Sequence, residues 1–393
     1  MNSPIGASMG SEVGVVGAYS TKYEARSQKE AHEMIREVAT SVFKTVDKGM
    51  SPEEVDLIIV SNYSDSFGYV LHTAPLVASY IGNLRATGFR VENACAAGTT
   101  AVFLAWKLLS SGSFRNALIV GFEKMSAQGS SARANEILMR TASPEEYRVG
   151  APFVSLYALI AQEYMRRYGA TEEDLALVAV KNHENATRNP LAQFQKKITV
   201  EDVLKSPYIS KPLKLLDSSP LSDGAVAVLL SSEPRRYTDT PVYIRGIGIR
   251  HDYPGVYQRA DMASLEAARL AAQDAYRMSG VSPKDIDVFE VHDAFTISEI
   301  VLYEMLGLAA RGEGYKLVRE GVTSFSGAHP VNPSGGLKAK GHPIGATGVG
   351  MVAEVYWQLR GEAGARQVSG AELGLVENHG GTGATSVVIV FGR

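Results

Sequence analysis

The 393-residue chain is 45% hydrophobic and 21% charged, with a formal net charge of −3. That length is enough for two domains or one large layered domain. No basic excess points to nucleic acid, no polybasic run to a membrane surface, and a single cysteine excludes an internal disulfide.

The opening stretch, MNSPIGASMGSEVGVVGAYS, lacks the charged start and long apolar core of a signal peptide. Apolar runs such as VDLIIV have strand length, far short of the roughly 20 residues a membrane span needs. A cytoplasmic protein is expected. VGVVGAYS from Val13 reads as a strand, and Lys29 to Lys48 as a helix with apolar residues at helical spacing. Ser51-Pro-Glu-Glu-Val-Asp-Leu-Ile-Ile-Val60 runs from a Ser-Pro start into a second strand. The stretch VENACAAGTT holds Cys95 and opens a helix over Thr99 to Ser110, which leads to the strand NALIVGF at Asn116. An insertion over residues 123–216 follows, before SSPLSDGAVAVLL resumes a strand.

The rest of the chain repeats this order. VYIRGIGI from Val242 is a strand, followed by a helix over Met262 to Met278. Ser282-Pro-Lys-Asp-Ile-Asp-Val-Phe-Glu-Val291 matches the segment at Ser51 about 230 residues earlier. His342-Pro-Ile-Gly345 lines up with Cys95-Ala-Ala-Gly98 and opens a helix over Thr347 to Leu359, which leads to the strand ELGLVEN at Glu372. Two β-α-β-α-β halves are therefore expected, residues 1–122 with 217–240 and residues 241–393, in an α/β duplication with helices between sheets. Its symmetry places Cys95 and His342 at equivalent positions, where a pseudo-twofold packing would bring them together.

Most lone cysteines are small buried hydrophobes. Cys95 stands at the start of a helix, which favours a thiolate, and small neighbours leave room for a reactant. A reactive thiol needs a base, and the chain has eight histidines. His292 follows an apolar strand, while His342 in GGLKAKGHPIGATG and His379 in VENHGGTGA lie in Gly-rich segments; each could equally be a hydrogen-bonded structural histidine. These residues are dispersed, without His-x-x-His or Cys-x-x-Cys spacing, so no metal site is read. GGLKAKGHPIGATG lacks the G-x-x-x-x-G-K-[ST] pattern of a phosphate loop. His72, His251 and His329 read as structural, and Glu163, Tyr164 and Arg166-Arg167 as a solvated helix face. His183, within the insertion, could touch a ligand or cap a loop. Arg188, Lys196 and Lys197 read as solvated.

Taken together, these residues resemble the thiolase family. NACAAGTTA is similar to its nucleophile segment and SSPLSDGAVAVLL to the strand that closes the first half. VHDAFTISEI resembles the Asn-Glu-Ala-Phe segment in a His-Asp variant, GLKAKGHPIGATG the Gly-His-Pro segment, and ENHGGTGA the final Cys-x-Gly segment. GFEKMS at Gly121 and KNHENATRNP are similar to sterol-carrier-type and archaeal thiolases. The second catalytic cysteine of other thiolases is absent: its place in the last motif is His379, and its sterol-carrier-type place is Ala294. Archaeal acetoacetyl-CoA thiolases share both features. The ketoacyl-carrier-protein synthases share the fold.

The resemblance implies a five-layered α-β-α-β-α sandwich and a Claisen condensation with its reverse. Cys95 would carry an acyl thioester. His342 would take the thiol proton and, with His292, donate to the carbonyl oxygen of the second thioester. His379 would replace the missing cysteine as the α-proton base. The Cys95 and Gly381 N–H groups would form an oxyanion hole over the acyl group, and Ser219 would lie beside the pantetheine of coenzyme A, partly over the insertion; His183 is a second candidate substrate contact. No cofactor is implied beyond the coenzyme A thioesters, which are substrates. The implied activity is acetyl-CoA C-acetyltransferase, feeding the mevalonate pathway. Its implied partners are a second copy in a homodimer or tetramer, a hydroxymethylglutaryl-CoA synthase and a small zinc-binding bridging protein. A degradative 3-ketoacyl-CoA thiolase and a non-catalytic thiolase-like subunit are the alternatives.

Overall fold

In the computed structural model, which describes residues 12–393, the strands are nearly continuous apolar runs because both faces of the sheet are covered. They are β1 (Gly14–Ser20), β2 (Leu57–Ser61), β3 (Thr87–Val91), β4 (Asn116–Lys124), β7 (Asp223–Ser231), β8 (Val242–His251), β9 (Val288–Glu290), β10 (Leu373–Gly380) and β11 (Thr385–Gly392); β5 (Tyr208–Ser210) and β6 (Leu213–Lys214) form a separate hairpin. The main sheet runs β3-β2-β4-β7-β1-β8-β11-β10-β9. In the first half β2 lies parallel to β3 and β4, while β7 is antiparallel to β4 and β1. In the second half β9 lies parallel to β10, while β11 is antiparallel to β10 and β8. Val331 bridges Phe289 in parallel and stands where a third strand would. Counted within each half, the order 3-2-4-5-1 therefore meets 1-5-4-2-3, as a twofold axis at the β1/β8 junction would give.

The junction itself is short. Gly14 pairs with Tyr243 and Val15 with Val242, which makes one ribbon of the two expected sheets. What holds the halves together is the layer between them. Ile58, Val60, Leu118 and Val120 face outward onto helices Ala31–Ser41 and Thr73–Ile81. Their alternating neighbours Leu57, Ile59, Ala117 and Ile119 face inward, in one core with Ala101 and Ala105 of helix Ala97–Ser110 and Ala346 and Val349 of helix Ile344–Arg360. Helix Glu266–Ser279 covers β8 and β11, completing an α-β-α-β-α arrangement. Among the described residues no helix is long and apolar enough to cross a membrane.

Several elements differ from expectation. The first helix ends at Ser41 and tightens into a 3-10 turn over Val42–Thr45. Tyr164 is not solvated: only Glu163, Arg166 and Arg167 of that group pair outside, whereas Tyr164 turns into the core and donates to Glu304. β4 runs on to Lys124 and β7 begins at Asp223; between them lie helices that include Phe153–Tyr168 and Glu172–Ala186. Buried Asp223 ties this region shut, accepting from Ser27 N–H at 2.8 Å, Ser126 N–H at 2.9 Å and the Lys124 ammonium at 3.0 Å.

The two central helices cross at bare backbone. A Cβ on Gly98 would stand 2.7 Å from the Val349 nitrogen and 2.9 Å from Gly348 Cα. One on Gly348 would stand 2.4 Å from the Thr99 nitrogen and 2.5 Å from Asn378 Oδ1. Gly348→Ala must therefore push the helices apart, at a cost of about 1–3 kcal/mol. Denaturant titration checks this, and an unchanged midpoint would sink the close-crossing account.

Candidate active site

Cys95 precedes helix Ala97–Ser110, whose N-cap is Ala96. Ala94 before it has φ 48, a left-handed conformation uncommon outside glycine. That turn is fixed by Ala96 N–H donating to Asn93 O at 3.0 Å and Asn93 Nδ2 donating to Thr100 Oγ1 at 2.9 Å. The expected thiolate is not the resting form. Burial pushes the Cys95 thiol up to about 12, and the backbone N–H groups of Gly381 and Cys95 itself, facing the sulfur, only partly offset this. Proton removal must accompany attack on the substrate.

His292 and His342 stand beside the thiol and His379 stacks close to His292, and each of the three is polarised by its partner. His342 Nδ1 lies 2.7 Å from Thr347 Oγ1, whose proton goes to Pro343 O at 3.1 Å. Nδ1 is therefore the donor, and Nε2 keeps a free lone pair. Burial, then His379, lowers His342 to about 3, so the ring is neutral. His292 is the reverse. Asn378 accepts from Thr99 through Oδ1 at 2.9 Å and, in this amide orientation, donates through Nδ2 to His292 Nδ1 at 2.8 Å. His292 Nε2 thus carries the proton, and it is buried without a partner. Burial, His379 and His342 hold His292 well below the ordinary histidine range.

His379 sits on β10 with its ring 4.2 Å from that of His292. Its Nδ1 lies 3.1 Å from Glu377 Oε1, which also accepts from Ser386 Oγ at 2.7 Å. Its Nε2 lies 3.0 Å from the hydroxyl of Tyr157, which lies 2.8 Å from Gly381 O. The carboxylate fixes the Nδ1 proton and leaves Nε2 as the basic atom. His379 is fully buried, whereas Cys95 and His342 are 5% and 6% exposed, so a substrate reaches the cluster from their side.

Sequence spacing misjudged one property of the group. One ligand atom each from Cys95, His292 and His342 lies within 4.8 Å of the others, as in a metal cluster. The donor chemistry fits poorly, because His292 Nε2 carries a proton and its lone pair at Nδ1 is spent on Asn378.

The other two candidates lie apart from the four. Ser219 donates its N–H to Ala294 O at 2.8 Å, beside the segment that holds His292. His183 Nδ1 lies 3.0 Å from Lys196 O and its Nε2 3.3 Å from Lys338 Nζ, with the ring stacked on Phe194. Both ring nitrogens thus hold the chain; burial, then Lys338, lowers His183 to about 4. Glu377, Asn378, Thr347 and Tyr157 escaped the sequence reading. The first two stand within VENHGGTGA and Thr347 follows the Gly-His-Pro segment, so position alone could have flagged them; Tyr157 lies in a helix without a motif.

Comparison with known proteins gives the family. The family described as Thiolase, N-terminal domain matches residues 13–234, and Thiolase C-terminal domain-like matches 248–393. An acetyl-CoA acetyltransferase of Methanothermobacter thermautotrophicus is 42% identical over 97% of this chain and 100% of its own. Human sterol carrier protein 2 is 37% identical over 76% of this chain and 57% of its own. The solved Ltp2-ChsH2(DUF35) aldolase superposes with a TM-score of 0.83 at 25% identity, covering 98% of each chain. The chain belongs to the thiolase family.

Proposed function

We propose that this acyltransferase condenses two acetyl-CoA reversibly to acetoacetyl-CoA and coenzyme A through an acetyl thioester on Cys95. One observation carries the reading: a neutral His342 with a free lone pair and a His292 with a free N–H flank the same buried thiol. The first is a base and the second a hydrogen-bond donor. As Cys95 attacks the first thioester, its proton passes to His342 Nε2, which returns it to the departing coenzyme A. The Gly381 and Cys95 N–H groups face the developing oxyanion, each such donor being worth on the order of 10²–10³ in rate. The second acetyl-CoA presents its carbonyl oxygen to His292 Nε2–H, joined by His342 whenever that ring holds a proton. Its α-proton leaves to His379, the resulting carbanion attacks the acetyl group and expels the Cys95 sulfur, and the thiolate then regains a proton as His379 gives one up, which restores the resting thiol.

A degradative 3-ketoacyl-CoA thiolase would run the same steps in reverse. The non-catalytic reading fits poorly, because the chain keeps Cys95, His292, His342 and His379, and the first three stand within reach of one another. The likeness to an aldolase does not displace the acyl-transfer reading, since an aldol cleavage needs no acylated thiol. Condensation of two acetyl-CoA is uphill, so the proposal includes a consumer of acetoacetyl-CoA: a hydroxymethylglutaryl-CoA synthase of the mevalonate pathway, docked through a small zinc-binding bridging protein. It also places Ser219 and His183 along the coenzyme A path over the insertion, and the enzyme in the cytoplasm.

Cys95→Ala should abolish acetyl transfer and keep the fold, because alanine matches Ala94, Ala96 and Ala97 around it; appreciable thiolysis by the variant would refute the nucleophile. His379→Ala should still accept label from radioactive acetyl-CoA yet release acetoacetyl-CoA slower by on the order of 10²–10⁴. His342→Ala should slow labelling itself, and equal loss of labelling in both variants would overturn the division of roles. β3 leaves one sheet edge uncovered in this chain, with Thr87 and Gly88 exposed, so a second copy pairing there is expected. Sedimentation at micromolar concentration should give a dimer or tetramer, and a monomer would contradict it.

A further inference from the structure

The scheme above leaves His379 with a difficulty. Glu377 holds its Nδ1 proton, so the lone pair that must receive the substrate's α-proton is on Nε2. That lone pair points at the Tyr157 hydroxyl, 3.0 Å away. An α-carbon cannot occupy the same place. Tyr157 is itself fixed: its ring centroid lies 4.5 Å from that of Phe295 and 5.7 Å from that of Phe153, and burial raises its pKa, so a free phenolate is not available. What remains mobile is the hydroxyl proton. Its oxygen offers one donor and two acceptor positions and has two neighbours in reach, His379 Nε2 and Gly381 O at 2.8 Å.

We propose that Tyr157 is a catalytic residue that relays the α-proton to His379, an inference that rests on the acetyl-transfer reading. The substrate Cα–H bond breaks, its electron pair goes to the enolate, and the proton forms a new O–H bond on Tyr157. In the same event the original Tyr157 proton moves to His379 Nε2. Tyrosine is neutral before and after. The single positive charge rests on the imidazolium, facing the Glu377 carboxylate. The new hydroxyl then turns to Gly381 O, while Nε2–H donates to the tyrosine oxygen. Before the transfer the single hydroxyl proton is shared between two acceptors, His379 Nε2 and Gly381 O; afterwards each contact has its own proton, without movement of a heavy atom.

The other charged or titratable groups around the pair are Cys95, His292, His342 and Arg259. Arg259 donates to Thr382 O at 2.7 Å and Thr382 Oγ1 at 2.8 Å, so it holds the Gly-rich loop and accepts no proton.

Loss of deuterium from [²H₃]acetyl-CoA isolates this step when measured in a Cys95→Ala background, where no acetyl-enzyme forms. Tyr157→Phe should slow that exchange by about 10²-fold. In the enzyme with Cys95 intact, the same substitution should leave acetylation within about threefold, well below the loss of a positioned acid or base. A relay also puts a solvent-exchangeable proton in flight, so heavy water should slow the release of tritium from [³H]acetyl-CoA, a label readable in either solvent, in the Cys95→Ala parent and not in Tyr157→Phe. Equal exchange with and without the hydroxyl would overturn the relay alone. Loss of acetylation together with exchange would overturn it too, making Tyr157 a wall of the Cys95 pocket. A parent that exchanges no deuterium would overturn the relay, whereas failure of the enzyme with Cys95 intact to take label from acetyl-CoA would refute the acetyl-transfer reading itself, and the relay with it.

Discussion

Everything in the site depends on two helices meeting N-terminus to N-terminus with no side chain between them. Gly98 and Gly348 let the backbones of Ala97–Ser110 and Ile344–Arg360 touch, and the segments just before those helices carry Cys95 and His342. A methyl group at the crossing would separate Cys95 from His342. The β1/β8 junction contributes only two residue pairs, so this contact, rather than strand pairing, sets how the halves sit. The internal duplication thus has a chemical use. One helix start supplies the Cys95 thiol, its counterpart supplies the His342 ring, and the pseudo-twofold axis brings them together.

The second constraint is dryness. Burial drives the thiol up and His292 and His342 down, so the resting site is uncharged at its reacting atoms. Chemistry in such a place relies on which nitrogen carries the proton. Thr347, Asn378 and Glu377 make that choice for three rings of the same kind, turning one into a base, one into a donor and one into a base backed by a carboxylate. The three are not interchangeable, although the sequence shows only three histidines.

Much of this could be read from the chain. The strand and helix order, the repeat between Ser51 and Ser282, and the pairing of Cys95 with His342 all follow from local pattern and symmetry, because both halves bury the same faces. The ionisation of Cys95 did not follow. A helix start argues for a thiolate, but burial depends on the insertion and on the Gly-rich loop around Gly381, which no local pattern encodes. Tyr164 and Tyr157 fail for a related reason. Only tertiary packing tells Tyr164, among charged neighbours, from a solvated tyrosine, or shows that Tyr157, in an apolar stretch of the same helix, is bonded to His379. Spacing was silent in the same way on the closeness of Cys95, His292 and His342, since residues this far apart in the chain meet only through the fold.

The long segment between β4 and β7 is riveted to the second half. Asn182 donates to Asp293 Oδ2 and Glu299 Oε2, each at 2.7 Å, and Lys181 reaches Glu299 at 2.7 Å and Val331 O at 2.8 Å. Asn185 and Asn189 bond Asn332 O and Ser334 O, and the Gln193 and Phe194 amides bond Lys340 O and Ala339 O. Lifting the segment would strand several buried charges and amides at once, each costing about 1–3 kcal/mol or more. Residues 181–194 are therefore a fixed part of the second half, although they belong to the first in chain order. Motion there would carry the cost of local unfolding rather than of a hinge.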